Sequence, residues 1–278
     1  MPRVALVIGA NQGLGLALVK GLCAALAVDD TVYLTARSPQ RGEAAVRSLG
    51  AVTPHLRFAQ LDVADETSVA DVADMLRARH GGVDIVISNA AARIGKEVSD
   101  AEQVAGFIET NNHGTRRMLA HTLALLKPNG RFVVVASSFG RLSQLPAHLH
   151  ARFDTGTASL ADIEATMDAY VAAVEGGGAA AEGWPDWINI PSKVGQVASA
   201  RIAARMITAQ RPDDGILINA ACPGLVDTAA SRPWFDDMSA AQSPDAAAVD
   251  VLWLALLPAG STAPHGELVR FREPLPWL

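Results

Sequence analysis

The stretch Val4-Ala5-Leu6-Val7-Ile8-Gly9-Ala10-Asn11-Gln12-Gly13-Leu14-Gly15 decides how the rest of the chain is interpreted. The continuous apolar run of residues 4–9 predicts a buried strand, and helical spacing follows over residues 14–27. Glycines between a strand and a helix let the backbone approach a pyrophosphate, and the helix N-terminus adds N–H groups and a favourable dipole. The G-x-x-x-G-x-G spacing in this context therefore predicts a dinucleotide-binding loop.

The alternation of apolar strand and amphipathic helix continues along the chain. Further strands are predicted at residues 31–36, 57–61, 83–88, 131–136, 216–221 and 267–270, and further helices at 39–49, 66–79, 101–126, 160–174, 194–210 and 246–257. Continuously apolar strands between helices indicate a parallel sheet that is covered on both faces. The predicted fold class is α/β: a single-domain, Rossmann-type, doubly wound parallel sheet over residues 1–278.

Residues 141–187 interrupt this rhythm, because they contain one predicted helix and no convincing strand. Loops longer than about 15 residues are usually functional or disordered. We interpret this segment as an insertion that precedes the helix carrying Lys193 and covers the active end of the sheet.

The end of the second strand indicates which nucleotide is bound. An acidic residue there would hold the ribose 2′-hydroxyl of NAD, whereas an arginine accommodates a 2′-phosphate. The sequence reads Thr35-Ala36-Arg37, with Arg41 about one helical turn later. NADP(H) is therefore the predicted cofactor.

The ends of the third and fourth strands complete the predicted groove. Asp62-Val63 lies where the adenine ring would be, and the small residues after Asn89 let the backbone approach the cofactor ribose. The residues predicted to bind the cofactor in this half are Gly9, Asn11, Gln12, Gly13, Leu14, Gly15, Arg37, Arg41, Asp62, Val63, Asn89, Ala90 and Ala91.

The composition and the short motifs argue against several classes of function. Half of the residues are hydrophobic, and 23 Lys+Arg against 29 Asp+Glu give a net charge of −6, which argues against a nucleic-acid partner. The N-terminal apolar run is too short for a signal peptide or a membrane span. His148-x-His150 lacks further ligands at a familiar spacing, so no metal is predicted. We expect a soluble, cytoplasmic protein without a membrane or nucleic-acid partner.

Together these motifs resemble the short-chain dehydrogenase/reductase family, and within it the monomeric carbonyl reductases. Besides the glycine loop, the resemblance rests on Leu34-Thr35-Ala36-Arg37, Arg41-Gly42, Leu61-Asp62-Val63, Thr110-Asn111, Gly114-Thr115, Gly183-Trp184-Pro185, Lys193-Val194-Gly195, Cys222-Pro223-Gly224, Ala255-Leu256-Leu257-Pro258 and Pro264-His265-Gly266. It implies an NADP-dependent oxidoreductase that acts on a small hydrophobic molecule. It also implies a monomer, because an insertion covers the surface through which other members pair.

The resemblance implies four catalytic positions, and the sequence departs from one of them. Asn111 matches the family's Asn, Ser137 its Ser (or Ser138, if the register is off by one), and Lys193 its Lys. The family's Tyr belongs four residues before the Lys, where this chain has Asn189. In the family the Tyr hydroxyl protonates the carbonyl oxygen, but an asparagine amide is no proton donor near pH 7.

The resemblance also implies the surroundings of the reacting centre. Pro223, Gly224, Val226 and Thr228 would contact the nicotinamide, and Lys193 its ribose. Residues 229–242, with Trp234 and Phe235, match a mobile substrate loop; a surface helix with inward aromatics is the alternative. Trp184 and Trp187 predict either an aromatic wall for a bulky or cationic substrate or plain core packing.

Three functions remain open from the sequence. The first is an NADPH-dependent reductase with an atypical, Tyr-less site, acting on a hydrophobic carbonyl, imine, iminium or enone in specialised metabolism. The second is a non-redox enzyme, such as a cyclase, that keeps NADP(H). The third is an inactive NADP-binding protein. Candidate substitutes for the missing acid are Asp186, Arg141, His113 and His148; Tyr33 and Tyr170 are interpreted as packing residues.

Overall fold

Every side chain of the first strand, β1 (Val4–Ile8), is buried. A strand with two buried faces needs helices on both sides of its sheet. The computed structural model, which describes residues 2–50 and 56–278, has this arrangement. The other strands are β2 (Thr31–Ala36), β3 (Leu56–Gln60), β4 (Val83–Ser88), β5 (Leu126–Val135), β6 (Leu217–Ala221), β7 (Leu268–Arg270) and β8 (Glu273–Leu275). The helices are α1 (Gly13–Ala25), α2 (Pro39–Ser48), α3 (Glu66–His80), α4 (Asp100–Ile108), α5 (Gly114–Thr122), α6 (Leu160–Glu175), α7 (Asn189–Gln210) and α8 (Pro244–Ala255).

The strands form one sheet in the order β3-β2-β1-β4-β5-β6-β7-β8. All neighbours are parallel except β8, which runs antiparallel to β7. The chain starts in the middle of the sheet, builds outward to β3, and then crosses back to β4 beside β1. Ligands of such folds bind beyond the carboxyl ends of the strands at this reversal. The predicted α/β doubly wound fold is confirmed.

The helices cover the two faces of the sheet as separate layers. Alternate side chains of β1 point to opposite faces, so Leu6 packs with α3, α5 and α7, whereas Val7 packs with α1, α2 and α8. This packing fixes α1 and α7 on opposite sides of the strand ends. The N-termini of both helices carry predicted site residues.

The predicted insertion, residues 141–187, packs beside the sheet against α4 and α7. Its side chains form a third apolar cluster with those helices, which includes Leu142, Leu145, Leu149, Phe153, Ile163, Met167, Tyr170 and Trp184 from the insertion. Ser159 and Asp162 form a capping box that starts α6. Of residues 141–187, only Trp187 lines the cleft described below. Closure of the insertion over the active end therefore stays a prediction.

The helix predicted over residues 101–126 is present, since residues 100–125 are helical throughout, but it is not one regular α-helix. A π-helical turn, Glu109–His113, separates α4 from α5, and Leu126 already pairs with Val83 in the sheet. The turn has a consequence for the site: the main-chain carbonyl of Asn111 accepts a hydrogen bond from the Gln196 side chain of α7 at 3.0 Å.

The helices give no sign of a membrane span. The longest, α7, has 22 residues and carries Lys193, Arg201 and Arg205. Within residues 2–50 and 56–278, no helix is long and apolar enough to cross a bilayer.

Candidate active site

The carboxyl ends of β1 to β4 open into a groove with a volume of about 690 Å³. Nine of the residues predicted to bind the cofactor line it: Gly9, Asn11, Gln12, Arg37, Arg41, Asp62, Val63, Ala90 and Ala91. The structure therefore brings together strand ends that are far apart in sequence, as the parallel topology requires.

The glycine loop at one end of the groove is built for close backbone approach. Gly9 has φ +69°, and a Cβ atom there would lie 2.6 Å from the Cα of Ala90. Gln12, at the N-cap of α1, makes no side-chain cap, and the first turn contains no acidic residue. The first N–H groups of α1 are thus available to an anion, which fits a pyrophosphate.

The other end of the groove carries two arginines. Ser38 caps α2 by accepting a hydrogen bond from the backbone N–H of Arg41 at 3.4 Å, which holds that residue at the groove. Arg37 lines the groove beside it, and Asp62 is the only acidic residue among the described lining residues. Since the Asp62 carboxylate accepts the Ala64 N–H at 3.0 Å, the guanidinium groups face a site that fits a 2′-phosphate.

Other predicted cofactor residues support the groove or lie beyond it. Asn89 donates its amide to the carbonyls of Ile8 and Gly9, at 3.3 and 2.9 Å, and so holds the glycine loop. The remaining members have different neighbours: Gly15 lies against Asn89 and Ala10, Gly13 near Thr228, and the carbonyl of Pro223 accepts from Gln242. Leu14, Gly224, Val226 and Thr228 line a second cavity.

This second cavity, of about 450 Å³, adjoins the groove, since Ala92 and Arg93 line both. We call it the cleft. Ser137, Ser138, Asn189 and Lys193 all line it, and the choice between the two serines stays open. Asn189 is the first residue of α7, so it lies one turn before Lys193 on the same face. Three of the four predicted catalytic side chains thus share one cavity.

A chain of hydrogen bonds connects Lys193 to the fourth predicted residue, Asn111. The ammonium of Lys193 donates to Oε1 of Gln196 at 2.7 Å, and Nε2 of Gln196 donates to the carbonyl of Asn111. The Asn111 side chain is buried, accepts the N–H of Ala92 at 2.8 Å, and is not among the lining residues of the cleft. Gln196, which the sequence motifs did not single out, therefore connects Lys193 to the main chain at Asn111.

Burial sets the protonation of Lys193. Removing an ammonium from water disfavours its charged form, and the pKa of Lys193 is lowered to about 8. The group therefore remains mostly protonated at neutral pH but loses its proton in a mildly alkaline solution.

An aromatic wall bounds the cleft. Phe139 lies edge-on to Trp187 at 5.1 Å between ring centroids, and Trp187 lies 6.0 Å from Trp234. Trp184 is not part of this wall, because it is buried against Tyr170 and Phe153. Of the two tryptophans considered for substrate contact, Trp187 has that position and Trp184 is a core residue.

The four candidate substitutes for the missing acid lie outside the lining of the cleft. His113 pairs with Asp168 at 2.9 Å, and His148 with the carbonyl of Glu182 at 2.8 Å. Arg141 approaches the carbonyl of Ser138 at 3.4 Å, and Asp186 lines a separate cavity. The structure therefore does not bring these four side chains to the cleft.

The two tyrosines are structural. The Tyr33 hydroxyl contacts Nε2 of His80 at 2.9 Å, and Tyr170 is buried in the third apolar cluster. Both stand outside the cleft lining.

The charge of the cleft is one-sided. Its described lining contains Arg93, Lys193 and Arg270 and no aspartate or glutamate. No sequence motif marks Arg270, although it ends a predicted strand. The rule that ligands bind at carboxyl ends of strands would have singled it out.

Comparison with known proteins agrees with this geometry. A family model described as short chain dehydrogenase matches residues 3–148, which include the glycine loop and Ser137. Carbonyl reductase (NADPH) 1 of Sus scrofa is 37% identical over 279 residues, covering 99% of this chain and 94% of the relative. The Homo sapiens protein of that name is 37% identical over 281 residues, covering 99% and 98%.

Solved structures agree on the fold. Salutaridine reductase from Papaver somniferum superposes with a TM-score of 0.79 at 24% identity, over 96% of this chain and 99% of the other. Menthone neomenthol reductase from Mentha piperita gives 0.78 at 24% identity, over 98% and 100%. With a family model that matches more than half of its residues and full-length relatives at 37% identity, this chain belongs to the short-chain dehydrogenase family.

Proposed function

We propose that this protein is an NADPH-dependent reductase that works without a tyrosine acid and reduces a hydrophobic carbonyl compound or enone. The observation that carries the proposal is the joining of a groove containing Arg37 and Arg41 to a cleft containing Ser137 and Lys193. The relatives named as NADPH carbonyl reductases support the same cofactor and reaction class.

Different residues of the groove would hold different parts of the dinucleotide. The α1 N-terminus would hold the pyrophosphate, and Arg37 and Arg41 the 2′-phosphate. The segment from Gly224 to Thr228 and the Lys193 ammonium lie where the nicotinamide end would reach the cleft. When bound, NADPH supplies the hydride.

We assign the proton to Lys193. Asn189 cannot donate a proton near neutral pH, and serine hydroxyls are far weaker acids than an ammonium whose pKa is about 8. One of the three Lys193 N–H groups is used by Gln196, so two remain for the cleft. Ser137 and Asn189 can hold the substrate oxygen by hydrogen bonds while Lys193 gives it a proton.

The charge of the lining also narrows the substrate. A cationic iminium would meet the positive charges of Arg93, Lys193 and Arg270 without a compensating carboxylate in the described lining. Like charges in a cavity of low polarity repel strongly. Carbonyl compounds and enones, whose oxygen gains negative charge during reduction, fit the cleft better.

Cofactor binding and turnover test the proposal together. NADPH, NADP⁺ and NADH are titrated into the protein by calorimetry, and NADPH absorbance is then followed with ketones, enones and cyclic imines. We expect tight NADP(H) binding and oxidation by the ketones or enones. If NADP(H) binds but no substrate class oxidises NADPH, the proposal of a reductase is replaced by that of a non-redox enzyme. If NADP(H) does not bind, the cofactor assignment is overturned.

We also propose a monomer. The outer faces of α4 and α7 are covered by α6 through the third apolar cluster, and Arg116 on α5 pairs with Glu164 on α6 at 2.9 Å. These contacts occupy surfaces that a second copy would need. Light scattering after size exclusion should give a mass near 29 kDa; twice that mass would contradict the proposal. A cytoplasmic location stays a prediction.

A further inference from the structure

Arg270 is the least explained charge in the cleft. It ends β7, its Nε is buried, and that atom has no hydrogen-bond partner among the described residues. Its guanidinium lies 4.8 Å from the ring centroid of Phe271. Because this Nε is closed off from solvent, a ligand could reach only the terminal nitrogens of the guanidinium, and Arg270 as a whole is half-buried and lines the cleft.

Another buried arginine shows how this fold treats a purely structural guanidinium. Arg131 donates five hydrogen bonds to main-chain carbonyls, those of Asn129, Gly130, Gly215, Leu257 and Pro258. Every one lies between 2.7 and 3.2 Å. Arg270 has no such set of acceptors, and it lines a cavity instead.

The acidic side chains next to the cleft lining and to Arg270 form no ion pair with it among the described residues. Asp227, next to the lining, pairs with Arg232 at 2.6 Å, and Asp250 pairs with Arg272 at 3.0 Å. Glu273 stands opposite Arg270 in the β7–β8 register, but it is exposed and forms no ion pair with it. Within the described chain, Arg270 therefore lines the cleft without a carboxylate that pairs with it.

The cofactor does not account for this charge. Arg93 lines both the nucleotide groove and the cleft, so a phosphate of the cofactor can bind its side chain. Arg270 lines the cleft and is not among the lining residues of the groove in which the cofactor phosphates would lie.

We propose that Arg270 binds a carboxylate of the substrate, so that the substrate is a hydrophobic oxo acid. This inference rests on the proposed function of the cleft. Arginine and carboxylate form paired, charge-assisted hydrogen bonds. The aromatic wall of Phe139, Trp187 and Trp234 receives the hydrophobic body, and the carbonyl group lies toward Lys193. Arg270 is a specificity-determining residue in this arrangement.

The test compares 3-benzoylpropanoate with its methyl ester, which has the same ketone without the charge. In wild-type protein we expect kcat/KM for the acid to exceed that for the ester by about tenfold to a hundredfold, since a hydrogen bond to a charged group is worth that much. Arg270→Leu should remove this preference by raising KM for the acid, so that the acid and the ester react with nearly equal kcat/KM. Equal kcat/KM values in the wild type, or an equal loss for both substrates in Arg270→Leu, would overturn the proposal.

Two controls distinguish a failure of this inference from a failure of the proposed function. Arg272→Leu removes an exposed arginine that pairs with Asp250, and it should leave both substrates unchanged. NADPH affinity, measured by calorimetry, reports whether Arg270→Leu is folded. If neither substrate oxidises NADPH, the proposed reduction fails, and binding decides this inference: the NADP⁺ complex should bind the acid more tightly than the ester, and Arg270→Leu should not discriminate. Equal binding of acid and ester by the wild type refutes the anion site.

Discussion

The pH dependence of the reduction should follow the protonation of Lys193. With a pKa of about 8, the ammonium form makes up about nine-tenths of the protein at pH 7, half at pH 8 and about one-tenth at pH 9. Because the protonated form is the active one, kcat/KM should be level below pH 7 and fall tenfold per unit well above pH 8. A solvent-exposed lysine would stay protonated to beyond pH 10. The pH above which kcat/KM falls, here called the break, therefore shows whether Lys193 is buried.

The assay uses the methyl ester of 3-benzoylpropanoate at saturating NADPH from pH 6 to pH 10. The ester carries no titrating group, so a break belongs to the protein. Lys193→Arg keeps a positive charge but not a usable proton, because a guanidinium stays protonated throughout. We expect this variant to lose about 10²–10⁴ in kcat/KM and to lose the break near pH 8.

Two results would refute this reasoning. A wild-type profile that stays level to pH 10 would mean that Lys193 is not the proton donor. A Lys193→Arg variant that retains the wild-type break would assign the break to another group. Calorimetry with NADPH is the control. A variant that no longer binds NADPH would lose activity because its cofactor groove is disturbed, and its rate would then say nothing about the proton donor.

Three further variants test the site. Asn189→Tyr places a phenol one turn before Lys193 and should raise the rate on neutral ketones by about 10²–10⁴, measured as NADPH oxidation. Gln196→Leu removes an acceptor that stabilises the charged form of Lys193, so its pKa should fall and the break in the pH profile should move about one unit lower. Arg37→Ala combined with Arg41→Ala should weaken NADPH binding by about tenfold to a hundredfold and leave NADH binding almost unchanged, as measured by calorimetry.

Each of these substitutions has a contrary outcome. An unchanged rate in Asn189→Tyr would show that the cleft, not the missing acid, limits the reaction. For Gln196→Leu the matched control is Ser199→Ala, since Ser199 is buried on the same helix but donates only to Gly195. A shift of the break in both variants would deny Gln196 a specific role. An equal loss of NADPH and NADH affinity in the double variant would place the arginines away from the 2′-phosphate.

Sequence patterns predict the sheet and its ligand edge well, for a physical reason. In a parallel sheet buried on both faces, each strand is a continuous apolar run, and its carboxyl end is marked by the first polar residues after it. The strand pattern alone therefore puts Arg37, Asp62 and Asn89 at one edge of the sheet. The spacing of Asn189 and Lys193 is predictable because helical neighbours repeat every three to four residues.

Other features depend on contacts that no local pattern contains. The π-helical turn at Glu109–His113 continues a helical hydrophobic pattern, so residues 101–126 have the pattern of one helix. The edge strand Glu273–Leu275 has no clear sequence signal because it is three residues long and includes Pro274. The role of Gln196 depends on the meeting of α7 with the π-turn, which is decided by tertiary packing.

The missing tyrosine and the positive cleft have one physical explanation. A carbonyl that accepts hydride leaves negative charge on its oxygen, and a catalyst can neutralise that charge with a proton or stabilise it with fixed positive charges. Lys193 provides both means, because its ammonium is positively charged until it gives up the proton, and no carboxylate in the described lining weakens its field. A partly dry cleft strengthens it further, because charges interact more strongly where water is excluded. On this reasoning Lys193 takes over the task of the missing phenol, and an anionic substrate that binds Arg270 would bring its carbonyl oxygen to Lys193 already oriented.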